Sequence, residues 1–96
     1  MNENRGHQFV VAQTVDVSGR GAVAMFEDDP PIIFPIGHRQ VRVTTPAGRT
    51  FSATVSIEAA RKVPPGEVLA MLFPGLTSTQ LPAGSTVALM EIEARP

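Results

Sequence analysis

Val15 to Phe26 reads VDVSGRGAVAMF, two apolar-alternating runs joined through Ser18-Gly19-Arg20-Gly21. Glycine carries no Cβ to clash at positive φ, so Gly19 and Gly21 supply the left-handed or bulged positions that let one strand turn back on another. The stretch predicts a β-hairpin with Arg20 held at its tip.

Working outward toward the N-terminus, Phe9, Val11, Val15 and Val17 share one parity, interrupted by Gln13. That is the period of a half-buried strand with Val10, Ala12, Thr14 and Asp16 on the opposite face. Residues 1–8 are polar and lack periodicity, so they read as a disordered tail ahead of a single domain over residues 9–96. On the C-terminal side, Glu27-Asp28-Asp29-Pro30-Pro31 combines repelling carboxylates with missing backbone donors and predicts an exposed loop. Ile32-Ile33-Phe34 reads as a short edge piece. Gln40 to Thr45 alternates, with Val41 and Val43 on one face. A Pro-Ala-Gly turn at 46–48 leads to Thr50–Glu58, where Phe51, Ala53, Val55 and Ile57 face inward and Ser52, Thr54, Ser56 and Glu58 outward. Ile57 to Val63 has helical propensity, yet a stretch that short, closed by Pro64-Pro65-Gly66, reads as strand end and turn. Val68 to Phe73 is continuously apolar, the pattern of a strand covered on both faces. Thr77 or Ser78 is placed to cap a single helical turn over which Leu76 and Leu81 pack down. Ser85 to Glu93 then closes the sheet, with Val87 and Leu89 inside and Glu91 and Glu93 blunting the edge.

Composition agrees with this segmentation. The chain has 96 residues, 43% hydrophobic and 18% charged, enough apolar content for one core and no second. Nine Pro and eight Gly punctuate it too often for long helices and suit the corners of an all-β domain. Absence of Cys removes disulfides and thiolate chemistry, and two scattered His are too few for a zinc site of the usual spacing. The N-terminus has no apolar leader and no run approaches the ~20 residues of a membrane span, so a cytoplasmic protein without a membrane partner is expected. A net charge of -1 argues against a large sequence-independent grip on nucleic acid. The charge is nonetheless uneven: Arg39, Arg42, Arg49, Arg61 and Lys62 face only Glu58 within the middle segment.

Several of these elements in order resemble the second domain of translational GTPases such as elongation factor Tu. They are Val17-Ser18-Gly19-Arg20-Gly21-Ala22-Val23-Ala24, Ile36-Gly37 before a Val-x-Val strand, Val55-Ser56-Ile57-Glu58 ahead of Arg61-Lys62, Gly66-Glu67 before the apolar run, and Leu81-Pro82-Ala83-Gly84-Ser85-Thr86-Val87. The resemblance implies a small closed Greek-key β-barrel of six to seven strands. No GxxxxGK[ST] phosphate loop is present, so nucleotide chemistry and a nucleotide cofactor are not implied. In that family the barrel holds the aminoacylated 3′ end of tRNA. On matching positions, the resemblance assigns Glu58 to the terminal adenine, and Val17, Gly19, Val23 and Leu72 to the pocket.

The residues themselves nominate Arg20 and Arg42 as phosphate-facing cations beside Glu58. Each has a plainer alternative. Arg20 at a glycine-flanked tip suits phosphate or carboxylate, and equally suits solubility. Glu58 suits a pocket, or a cross-hairpin pair with Arg42 or Arg49. His38 in its turn reads as solvated, and no serine stands in a nucleophile setting with a His and an acid, so an enzyme is not expected. Tyr and Trp are absent, leaving Phe26, Phe34 and Phe73 as the only candidates to stack on a base. The sequence thus predicts a non-enzymatic binding module contacting RNA, a tRNA end or ribosomal RNA, with a protein-protein interaction or assembly role as the alternative.

Overall fold

A computed structural model describes residues 8–32, 36–64 and 66–90. Six antiparallel strands account for most of them: β1 (Gln8–Val17), β2 (Gly21–Phe26), β3 (Gly37–Thr44), β4 (Thr50–Lys62), β5 (Gly66–Pro74) and β6 (Thr86–Leu89), with one 3-10 turn at Ser78–Gln80. They close into a barrel in the order β1-β2-β5-β4-β3-β6. β3, β4 and β5 form a meander, and β6 returns to lie beside β3 and seal against β1, the Greek-key order. An all-β closed barrel is therefore what the chain adopts. The expected tail lies outside the described residues except for Gln8, as do Ile33-Phe34, Glu91 and Glu93.

The core is the set of inward positions that closure brings together. Val11, Ala22, Ala24, Val41, Val43, Val55, Ile57, Leu69, Met71, Phe73 and Val87 are fully buried, and Phe26 nearly so. Leu81, from the segment after the 3-10 turn, joins this core and is fully buried. Its carbonyl accepts a 2.7 Å hydrogen bond from Thr14 Oγ1. Phe9 packs against Phe26 with the rings tilted by 44° and their centroids 5.4 Å apart. The apolar run of β5 behaves as its composition predicts. Leu69, Met71 and Phe73 enter the core, while Val68, Ala70 and Leu72 on the outer face are also buried. After β2 the chain runs beside β5, where the Pro30 carbonyl accepts the Leu69 N–H at 2.8 Å.

β1 departs from the alternation read in the sequence. The ladder with β2 pairs Val11 with Phe26 and Gln13 with Met25, leaving Ala12 as an extra residue in a β-bulge. One inserted residue exchanges the faces of everything after it. Thr14 therefore turns in beside Ala24, and Val15, expected inside, is 45% exposed beside Val23. The β1–β2 turn keeps the form expected of it, with Gly19 at φ 79° and Gly21 at φ 133°. Gly21 is also a packing requirement, because a Cβ there would collide with the backbone of Phe73, Pro74 and Gly75 at the end of β5.

Candidate functional site

Register places six of the seven nominated residues on one outer surface. Val15, Val23, Leu72 and Ser56 form one outward row across β1, β2, β5 and β4, beside the core row that contains Ala24, Met71 and Ile57. Val17 lies on the same face one pair further along β1, opposite Gly21, and Gly19 shapes the turn beyond it. Glu58 sits opposite Ala70, two residues from the Leu72 row.

Arg20 completes the group from the turn. Its Nη2 donates to Glu58 Oε2 at 2.8 Å. Gly21 lies opposite Pro74 and Glu58 opposite Ala70, so the two side chains meet across the outer face of β5 at the level of Leu72. The pair is 52% and 28% exposed, so its attraction is largely screened by solvent. What it does geometrically is cover Leu72, which is only 5% exposed despite lying on the outer face. Val17 and Val23, both half-buried, flank it.

Glu58 pairs with Arg20 and not with Arg42 or Arg49. Arg42 does not join the group: it stands on the outer face of β3 opposite Ser52, six residues before Glu58 on β4, hence about 20 Å away along the strand. The basic middle segment is likewise no single patch. Arg39 has the inward parity of Val41 on β3, Arg49 lies at the β3–β4 turn, and Lys62 Nζ donates to Asp29 Oδ1 at 2.9 Å at the opposite end. Phe26 and Phe73 are buried and offer no stacking surface, and Phe34 lies outside the described residues.

The sequence reading missed a concavity at the end of the barrel bearing the β3–β4 turn and the 3-10 turn. It encloses about 830 Å³ between Thr45–Phe51 and Leu76–Pro82. Its local signals were the turn residues Pro46 and Gly48 and the capped turn at Thr77, but only closure sets these two segments face to face. Among the described residues no group of His, Asp and Glu is placed to hold a metal ion, and no helix is long and apolar enough to cross a membrane. No family model matches the chain, and neither the curated proteins nor the solved structures give a significant match.

Proposed function

We propose that the protein is a non-enzymatic binding module of the translation-factor second-domain type, which receives an RNA 3′ end on the outer face of β1, β2, β5 and β4. The observation that supports this reading is the convergence of Val17, Gly19, Arg20, Val23, Glu58 and Leu72, drawn from four strands and a turn, on that one face. In this reading the ligand exchanges the internal ion pair for its own groups. Arg20 swings to a phosphate, Glu58 accepts a hydrogen bond from a base or ribose donor, and the apolar surface at Leu72, Val23 and Val17 receives the face of the base. Releasing a screened surface pair costs little, so the exchange is energetically open.

Fluorescence titration of tRNA against a 3′-truncated tRNA at several salt concentrations tests it. Binding tighter than ~10⁻⁴ M at low salt is expected, with a salt slope that falls by about one in Arg20→Ala. Glu58→Gln should erase the preference for the intact 3′ end. Equal affinity for both RNAs, or no binding, refutes the reading. A protein partner on the same face is the second reading, favoured by the exposure of Val15 beside Val17 and Val23. Such a contact would weaken little with salt.

A further inference from the structure

The concavity between the β3–β4 turn and the 3-10 turn is separate from the outer face that carries Arg20 and Glu58, and it has a chemistry of its own. Phe51 and Leu76 are half-buried, packed on the core, and line it. Pro46 and Pro82 also contribute apolar surface. Its volume of about 830 Å³ lies within the usual range for small-ligand sites, ~300–1,000 Å³.

Two of the polar side chains around this apolar surface, Arg49 and Gln80, carry N–H donors. Among the described residues of the lining, Arg49 is the only formally charged one, and no acid accompanies it. Its guanidinium has no hydrogen-bond partner among the described residues, although its backbone is tied twice: Thr45 N–H donates to the Arg49 carbonyl at 2.8 Å, and Arg49 N–H donates to Thr45 Oγ1 at 3.1 Å. Gln80 Oε1 accepts the Thr77 N–H at 2.9 Å, which leaves the amide nitrogen of Gln80 as a second donor. The nearby carboxylate of Asp16 is occupied, one oxygen accepting Ser78 N–H at 2.7 Å and the other Ser78 Oγ at 2.8 Å. This pair of hydrogen bonds fixes the 3-10 turn to β1. Gly84 approaches the β3–β4 turn, where an added Cβ would lie 3.3 Å from Pro46 Cγ. Both walls are therefore held in place before any ligand arrives, which lowers the ordering cost of binding.

We propose that this groove binds a carboxylate carried on an apolar group, with Arg49 taking the carboxylate, Gln80 adding a hydrogen bond, and Phe51 and Leu76 receiving the apolar body. A single planar guanidinium matches a planar carboxylate through two parallel hydrogen bonds, whereas a phosphate dianion calls for more than one cation. The chemistry fits the free C-terminus of a peptide ending in an apolar residue, and it is shared by simple aliphatic carboxylates.

The test is a ¹⁵N–¹H NMR titration of the full chain with N-acetyl-Ala-Ala-Leu as the free acid, with the same peptide as its C-terminal amide, and with octanoate. Saturable shifts are expected at Arg49, Phe51, Leu76 and Gln80 with the acid. The amide and the Arg49→Gln variant should each weaken binding about tenfold or more, as loss of one charge-assisted contact implies. Arg49→Lys should recover part of the loss. Arg49 is exposed, so the variants are expected to keep the dispersed spectrum of the folded barrel. Octanoate binding as well as the peptide acid assigns a general aliphatic carboxylate, and binding of the peptide acid alone assigns a chain terminus. Absence of saturable shifts up to ~10 mM, equal binding of acid and amide, or undiminished binding by Arg49→Gln overturns the proposal.

Discussion

Gly19 and Gly21 are two residues apart in one turn, both at positive φ, and the structure separates them sharply. At Gly19 a Cβ would meet nothing within 4 Å. Replacement by alanine there costs the left-handed conformation, ~1–2 kcal/mol, partly offset by the smaller entropy of the unfolded chain, about 0.4–1 kcal/mol, for a net loss of roughly 1 kcal/mol. At Gly21 a Cβ would strike the Phe73 carbonyl oxygen and lie 2.9 Å from both Gly75 N and Pro74 Cα. All three are backbone atoms and cannot rotate aside, so the β2 and β5 ladders must separate where Gly21 pairs with Pro74. Strain of ~1–3 kcal/mol and overpacking of ~1–3 kcal/mol add to about 2–6 kcal/mol. For a domain of this size, 1 kcal/mol moves the midpoint by about 4–8 °C. Gly19→Ala should therefore melt a few degrees below the wild type, and Gly21→Ala at least ~8 °C below it or not fold. Circular dichroism melts and urea curves of both variants measure this directly. Equal losses at the two positions, or a Gly21→Ala midpoint within a few degrees of wild type, would refute the close approach of this turn to β5.

Val55→Ala in the core should lower stability, and Leu72→Ala on the outer face of β5 should lose about 2–5 kcal/mol, because both side chains are buried. Thr54→Ala, which removes only an exposed hydrogen bond to Gln40, should change urea midpoints little. A double-mutant cycle on Arg20→Ala and Glu58→Gln should return a coupling of about 0.5 kcal/mol at low salt, vanishing near ~1 M salt, and a coupling unchanged by salt would contradict the exposed geometry. Asp16→Ala should destabilise by about 1–2 kcal/mol and broaden the NMR signals of residues 77–81, since it frees the 3-10 turn. Unchanged signals there would show that the turn is held by other contacts.

Much of the architecture was legible in the sequence because it is written in local periods. Alternation at Thr50–Glu58 and at Gln40–Thr45 marks strands without reference to neighbours, and the six-residue apolar run at Val68 marks a strand covered on both faces. Glycines flanking Arg20 mark the reversal. The interruption of the first strand at Gln13 was visible too, and it is the trace of the bulge at Ala12. Its consequence was not visible, since a pattern broken by one polar residue reads alike whether the face flips or not.

Local periods alone specify the set of strands, the inward faces of β3, β4 and β6, and the turn that starts the barrel. Closure decided the rest. Arg20 and Glu58 are 38 residues apart and meet because β2 and β4 flank β5 on both sides, a neighbour relation that no local period encodes. Closure likewise sends Arg42 to the far strand and sets Arg49 and Phe51 opposite Leu76 and Gln80 around a groove. Periodicity records which side of its own strand a residue occupies, whereas a site needs residues from several strands at one level, and that level is fixed only by register around the whole barrel.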